Sequence, residues 1–217
     1  MNSTRIFFIL ACLSFNLSGQ VTSSTKNNGN LILEDIPPIP DEIVKELNRF
    51  QNVRSGSFRG FTNSGSELFI STRFGNVSQL HLVKTPGGAR KQITYFDEPI
   101  GSVTHQPDGE LIAFTMDSGG SENAQIFKLN PNNGSYKLLT DGKSRNGSPT
   151  WNKTGNQIAF RSNKRNGASN DVWVMSINDP NSAEMILAAP DGTSWGAIDW
   201  SKAVSYTHLT LPTILLV

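Results

Sequence analysis

Cysteine is nearly absent from this sequence, and neither sign of charge dominates it. Cys12 is the one cysteine, which excludes an intrachain disulfide and a cysteine-rich zinc site. The 19 Lys and Arg residues stand against 18 Asp and Glu residues, which leaves a formal net charge of +1. That balance gives no electrostatic reason to expect a nucleic acid or an anionic membrane as a partner. With 36% hydrophobic residues, 19 glycines and 11 prolines in 217, the chain is neither wholly disordered nor collagen-like.

The early apolar run, residues 6–17, is too short to span a bilayer. It follows the positive charge of Arg5 and precedes the small residues Ser18 and Gly19, which is typical of a secretion signal. We therefore predict a signal peptide over residues 1–19, no membrane span in the mature chain, and a secreted or periplasmic location. A buried N-terminal strand is the alternative, and Cys12 leaves a lipid-anchored form open.

Residues 20–52 are expected to precede the main domain as a leader, a proline-rich segment and a short helix. Residues 21–30 are rich in Ser, Thr and Asn and predict a flexible leader, and residues 35–40 predict a stiff, extended segment. Residues 41–48 predict a helix that Asp41 could cap. Its apolar face would carry Ile43, Val44 and Leu47, and we interpret it as a packing helix without chemistry.

The body of the chain is a repeat. Three segments align around Gly65, Gly109 and Gly155, which are 44 and 46 positions apart. Each glycine follows a polar turn and precedes an apolar strand, which we attribute to a turn that needs a positive φ. A second strand, a turn and a third short strand follow in each unit. Several short strands per ~45 residues are typical of β-propeller blades.

The number of repeats predicts an incomplete propeller. Residues 53–203 hold about three blades and the start of a fourth, whereas propellers close with roughly four to eight. The fold class is therefore all-β, an incomplete β-propeller of WD40-like repeats preceded by a short helix. An open array leaves a β-edge unpaired, so we expect the chain to fold poorly in isolation.

The C-terminal end breaks the repeat. Trp200 starts a fourth blade, but Val204 occupies the position at which the earlier blades have glycine. Residues 204–217 resemble a translated sequencing adapter, and we expect them to be non-native; a natural C-terminal strand is the alternative. His208 is given no functional weight for this reason.

Two sequence matches to catalytic motifs are interpreted as turns. Residues 192–196 fit G-x-S-x-G around Ser194, but no strand precedes them and no Asp and His follow in hydrolase order. Residues 142–144 read Gly-Lys-Ser, but Lys137 stands where a P-loop needs glycine.

The remaining candidate residues are also assigned to structure. Residues 117–123 form a polar hairpin loop without the acidic spacing of a calcium site. His81 and His105 lack the cysteines or the third histidine that a metal site would need. The four tryptophans are interpreted as blade packing rather than sugar stacking; they are Trp151, Trp173, Trp195 and Trp200.

Residues 36–40, 50–55, 70–75, 86–99 and 117–126 together carry a family resemblance. The chain resembles, over about residues 35–201, the N-terminal propeller of secreted prolyl oligopeptidase-family serine peptidases, which include dipeptidyl and acylaminoacyl peptidases. The blade motif alone is shared with Tol-type (TolB-like) periplasmic propellers. The segment before the propeller favours the peptidase.

The resemblance implies a propeller that caps a C-terminal α/β-hydrolase domain, admits short peptides and excludes folded proteins. The Ser–Asp–His triad of the family would lie wholly in that missing domain. No catalytic, cofactor-binding or metal-binding residue is therefore assigned, and no cofactor is expected. The adjacent glutamates of the dipeptidyl branch have no match in this sequence.

Two functions follow as expectations. The first is the substrate-gating propeller portion of a secreted serine peptidase that acts on short peptides, with its partners being a peptide substrate and the missing hydrolase domain. In that case this chain itself should be catalytically inactive. The second is a non-catalytic Tol-type propeller that binds a protein partner in the periplasm.

Overall fold

The computed structural model describes residues 21–201 and the backbone of residues 214–216. The predicted signal peptide lies outside the described residues, and so does most of the predicted non-native tail. Among the described residues, no helix is both long and apolar enough to cross a membrane.

Three four-stranded antiparallel sheets follow one another along the chain and form the blades of a partial β-propeller. In each blade the strands pair in sequence order, so the first strand lies at one edge and the fourth at the other. The first blade contains β3 (Ser57–Phe61), β4 (Leu68–Thr72), β5 (Gln79–Val83) and β6 (Arg90–Gln92). The second contains β7 (Ile100–His105), β8 (Ile112–Met116), β9 (Gln125–Leu129) and β10 (Tyr136–Leu138). The third contains β11 (Asn146–Trp151), β12 (Gln157–Ser162), β13 (Asp171–Ser176) and β14 (Glu184–Leu187).

A fourth unit begins with β15 (Ala197–Trp200), which pairs antiparallel with β16 (Ile214–Leu216). The first strands of successive units contact one another, β3 with β7, β7 with β11, and β11 with β15. These strands are therefore the inner strands of the array, and the predicted three blades plus the start of a fourth are confirmed.

The hydrophobic core lies between neighbouring blades rather than within any one of them. Phe69 and Leu80 of the first blade pack against Ile112 and Phe114 of the second. The second and third blades bury Ile126 and Ile158 in the same way. Ala197 and Trp200 of the fourth unit cover Ala159 and Val172 of the third blade. Each blade thus stabilises the next through apolar burial.

The segment before the blades differs from the expectation. Residues 21–30 were expected to be a flexible leader, but β1 (Ser23–Lys26) and β2 (Leu31–Glu34) form a hairpin. Asn30 of this hairpin donates to the carbonyl oxygen of Gly119 at 2.9 Å, which ties the hairpin to a loop of the second blade.

Helix α1 (Asp41–Gln51) is three residues longer than predicted. Pro40 occupies the N-cap position, so Asp41 lies in the first turn and does not cap the helix. The Asp41 carboxylate still interacts favourably with the positive end of the helix dipole. None of the helix residues is buried, and the apolar residues of the predicted packing face stay about half exposed. Within the described residues, the expected packing of this helix is therefore not observed.

Candidate functional site

Each inner strand carries a β-bulge, and one bulge holds a charged residue. The register of β3 against β4 shifts between Phe58 and Gly60, which leaves Arg59 as the extra residue. The bulges of the other inner strands lie between Ile100 and Val103, between Gly147 and Thr150, and between Ala197 and Asp199. The residues at those bulges are uncharged: Gly101, Ser102, Ser148, Pro149 and Ile198. A bulge re-aims its side chain, so Arg59 is placed differently from its strand neighbours.

The backbone at the Arg59 bulge is held by the second blade. Nε2 of His105 lies 2.7 Å from the carbonyl oxygen of Arg59. The next residue, Gly60, has a φ of +132°, and a Cβ there would lie 2.4 Å from the same imidazole nitrogen. The sequence interpretation gave His105 no ligand role, and the structure uses it as a contact between blades.

Arg59 lines a cleft on the upper face of the array. We define the upper face as the segments that enter the first and third strands of the blades, at residues 52–56, 73–78, 93–99, 117–124, 139–145, 163–170 and 188–196. The cleft has a volume of about 570 Å³. Two arginines and four serines line it: Arg59, Arg73, Ser55, Ser57, Ser71 and Ser78.

The positive charge of this cleft is not neutralised within the described residues. Gln51, Val53, Pro99 and Ile100 complete the lining, so no carboxylate faces the cavity. The three ion pairs of the described residues involve neither Arg59 nor Arg73.

The two arginines of the cleft differ in their partners. The Arg73 guanidinium donates to the carbonyl oxygen of Gln51, at the end of helix α1. Nε of Arg59 is buried and has no hydrogen-bond partner among the described residues. A buried donor without an acceptor is costly, so this nitrogen would gain from an acceptor that reaches it. The lining offers donors and positive charge but no histidine, cysteine or carboxylate, so it can bind an anion and has no general base.

Arg54 and Arg90 hold the segment beside the cleft through a cation–π contact and hydrogen bonds. Nη1 of Arg90 donates to the carbonyl oxygen of Arg54 and to the hydroxyl of Thr72, both at 3.1 Å. The guanidinium of Arg54 lies 5.0 Å from the ring centroid of Phe74. The segment between helix α1 and β3 is therefore held against the first blade.

Three equivalent polar side chains of the upper face are occupied by loop hydrogen bonds. Gln79, Gln125 and Asp171 begin the third strands of the three blades, so they hold equivalent positions. Nε2 of Gln125 donates to the carbonyl oxygens of Asn123 and Ser144, both at 2.7 Å. These side chains therefore join each blade to the loop that enters the next.

Asp171 stands where the first two blades have glutamine, and it forms an ion pair with Arg165. Arg165 donates to both carboxylate oxygens, at 2.8 and 3.1 Å, and the backbone N–H of Ala189 donates at 2.9 Å. The hydrogen bonds from Arg165 hold the pKa of Asp171 below its ordinary value, although burial acts in the opposite direction.

The polar loop at residues 117–124 is closed by its own aspartate. Burial alone would raise the pKa of Asp117, but hydrogen bonds from the Ser121 hydroxyl and from the backbone of Glu122 and Ser118 outweigh it and lower that pKa. The donor atoms of Ser121 and Glu122 lie 2.6 and 2.9 Å from the carboxylate. This carboxylate is thereby committed to the turn.

The motif residues weighed from the sequence are dispersed. Ser194 lies in the loop between β14 and β15, and its backbone forms an isolated bridge with Asn170. Lys143 lies in the turn between β10 and β11. His208 falls outside the described residues. Within residues 21–201, no group of three or more His, Cys, Asp or Glu side chains could hold a metal ion.

His81 and the tryptophans lie in or beside the packed regions. His81 is fully buried, and its Nδ1 donates to the carbonyl oxygen of Gln79 at 3.0 Å. Trp151 and Trp200 are buried, and Nε1 of Trp200 donates to the carbonyl oxygen of Thr150 at 3.0 Å. Trp195 remains 40% exposed.

Sequence reasoning did not find Arg59 or Arg73. The available signal was an arginine in the middle of an inner strand, flanked by a glycine. Arg59 can be recognised as a candidate only when the register of the bulge and the absence of carboxylates from the cleft lining are known.

The comparisons with known proteins agree with the fold. No family model matches the chain. The uncharacterized peptidase YuxL of Bacillus subtilis is 25% identical over a match that covers 49% of this chain and 22% of that protein. The structure of a protein described as TolB from Agrobacterium tumefaciens matches with a TM-score of 0.51 and 22% identity, over 64% of this chain and 47% of that one. A prolyl endopeptidase structure matches with a TM-score of 0.55 and 13% identity, over 83% of this chain and 33% of that one.

The chain therefore spans less than half the length of each of these relatives. Its fold is that of a partial propeller like those in the TolB and prolyl endopeptidase structures.

Proposed function

We propose that this chain is the substrate-gating propeller portion of a secreted serine peptidase that cleaves short peptides. The observation that carries the proposal is the match in sequence to a peptidase, which covers about half of this chain. The likeness to a prolyl endopeptidase supports it at the level of the fold, over 83% of the chain. The secreted or periplasmic location rests on the signal-like residues 1–19.

The upper face supplies the feature that a gate needs. The cleft of Arg59 and Arg73 presents donors beside the inner strands, where a peptide in transit would meet them. In this proposal catalysis belongs to an α/β-hydrolase domain, as the family resemblance implies, and the cleft itself offers no general base. Ser194, in a loop without a following helix, takes no part in this function.

A TolB-like propeller that binds a protein partner is the competing function. The Agrobacterium structure supports it at the level of the fold, with a TM-score of 0.51. The two functions differ in what the gene encodes after the propeller.

Sequencing the gene through the codon of Ser201 tests the proposal. We expect the reading frame to complete the blades and then to encode roughly 250 further residues, the size of an α/β domain, with a strand–G-x-S-x-G–helix segment. A frame that closes the propeller and then stops would refute the peptidase. A fluorophosphonate probe on the protein encoded by the extended frame gives a second readout, because it labels an activated serine. The 217-residue chain and its Ser194→Ala variant serve as controls, and both should remain unlabelled.

A further inference from the structure

We propose that the cleft of Arg59 and Arg73 binds a carboxylate of a peptide, with the C-terminal α-carboxylate as the preferred source. The proposal deepens the proposed function and rests on it for the identity of the ligand as a peptide. The two arginines, their unneutralised charge and the apolar wall beside them carry the argument.

The charge of the cleft points to an anionic ligand. Neither arginine takes part in an ion pair of the described residues, and the cleft lining contains no carboxylate. The buried Nε of Arg59 has no acceptor. A guanidinium group presents its donors in a planar fork that matches the two oxygens of a carboxylate.

The backbone of Arg59 is fixed before any ligand arrives. Its carbonyl oxygen is held by His105 at 2.7 Å, and the imidazole fills the space beside Gly60. Ser57 and Ser71 are direct cross-strand partners, so two hydroxyls of the lining lie on adjacent strands. Because the Arg59 backbone and the Arg73 guanidinium are both held, an anion binds here with a smaller loss of conformational freedom than at two mobile arginines.

The remaining lining favours a peptide over a small inorganic anion. Val53, Pro99 and Ile100 form an apolar wall in a cavity of about 570 Å³, which is far larger than a carboxylate group. A short peptide that ends in an apolar residue would place that side chain on this wall and its carboxylate on the arginines.

Calorimetric titration of the 217-residue chain, once circular dichroism shows that it is folded, tests the proposal with three peptides. The first is Ala-Ala-Leu with a free carboxylate, the second is its C-terminal amide, and the third is Ala-Asp-Leu amide, which carries a side-chain carboxylate. We expect the free acid to bind about tenfold or more tightly than either amide, and its affinity to fall as salt is added. Binding of Ala-Asp-Leu amide as strong as that of the free acid would keep the carboxylate site but assign the ligand to an acidic side chain. Equal affinity for Ala-Ala-Leu and its amide would overturn the proposal.

Variants identify the residues responsible. Arg59→Gln and Arg73→Gln should each weaken binding of the free acid by about tenfold, and Arg59→Lys should retain part of it because the charge remains. Arg161→Gln is the matched control, since it removes an exposed arginine of β12 in the third blade, and it should bind like the wild type. Unchanged circular dichroism and thermal midpoints identify variants that still fold. The assignment would be contradicted if the control variant lost binding. It would also be contradicted if both cleft variants bound the free acid as tightly as the wild type.

Inorganic phosphate and gene sequence separate the possible failures. Phosphate that binds at Arg59 while no peptide does would refute the peptide ligand. A reading frame that lacks a hydrolase domain, with carboxylate-dependent binding intact, would refute the peptidase and keep the site. If neither peptide nor phosphate binds to folded protein, the site itself is wrong.

Discussion

The side-chain amide of Gln106 donates a hydrogen bond of 2.8 Å to the carbonyl oxygen of Gly155, and so joins a turn of the second blade to a turn of the third. Gly155 has a φ of +67°, and a Cβ there would lie 2.8 Å from Cγ of Gln106 and 2.9 Å from the carbonyl oxygen of Pro107. Blade contact and turn conformation therefore both require glycine at this position.

Replacing Gly155 with alanine should destabilise the protein more than the same change at Gly65. Gly65 has a similar φ of +72°, but nothing lies within 4 Å of its Cβ position. Gly65→Ala should cost about 1–2 kcal/mol for the left-handed conformation alone. Gly155→Ala should cost a further ~1–3 kcal/mol because the blades must move apart. Urea denaturation of the two variants measures the difference, and equal losses would show that the contact between blades does not constrain Gly155.

The alignment around the repeat glycines predicted the turn conformation correctly at two of the three positions. The positive φ expected at all three repeat glycines is found at Gly65 and Gly155. It is not found at Gly109, where Asp108 takes the left-handed conformation with a φ of 52°. A Cβ on Gly109 would lie 2.2 Å from Oε1 of Gln106, so a larger residue there requires the Gln106 side chain to move. The aligned glycines therefore have different physical causes: a positive φ at Gly65 and Gly155, and limited space beside Gln106 at Gly109.

The inner strands were the part of the fold that sequence reasoning missed. The second, third and fourth strands of the blades were predicted from apolar runs and turns, and the blade count followed from their period. The inner strand of the third blade, β11, contains Gly147 and Pro149 and is interrupted by a bulge, so it lacks a strict alternation. Arg59 was missed for the same reason, because a shift in register cannot be inferred from the sequence of one strand.

Stability should decrease below neutral pH because of His81. Burial lowers the pKa of His81, and the charge of Arg90 lowers it further, while the hydrogen bond to Gln79 acts in the opposite direction. In the unfolded chain this histidine titrates near 6.5. The unfolded state therefore binds a proton that the folded state excludes, so the contribution of His81 is complete above about pH 6.5 and is lost as the pH falls toward the folded pKa.

Urea denaturation at about pH 7.5 and about pH 5.5 measures this dependence on either side of the ordinary histidine pKa. The His81→Gln variant should show a smaller loss of stability over that interval than the wild type. An identical loss in both proteins would exclude His81 as the source.

Removing the charge of Asp171 should destabilise the third blade, whereas removing that of Asp191 should not. Both carboxylates contact Arg165, but the Asp171 side chain is fully buried and that of Asp191 is 87% exposed. Asp171→Asn weakens the two bonds from Arg165 and the acceptor of the Ala189 N–H, whereas Asp191→Asn removes a solvent-screened contact. Thermal unfolding should show a clear drop for the first variant and almost none for the second. Because hydrogen bonds lower the pKa of Asp171, its contribution is present above the ordinary carboxyl pKa and is lost as the pH falls through the folded value.

Truncating Phe114, which is buried between two blades, should cost much more stability than truncating Phe58, which is exposed. Phe114 is 1% exposed and lies between Phe96 and Phe127, with ring centroids 5.6 and 5.3 Å away. Phe114→Ala leaves a cavity between the first and second blades and should cost about 3–5 kcal/mol. Phe58 of the first inner strand is 60% exposed, and Phe58→Ala should change the stability by less than about 0.5 kcal/mol. Denaturant titration of both variants compares the two costs. A large loss at Phe58 would show that this side chain is covered in solution, contrary to its exposure in the structure.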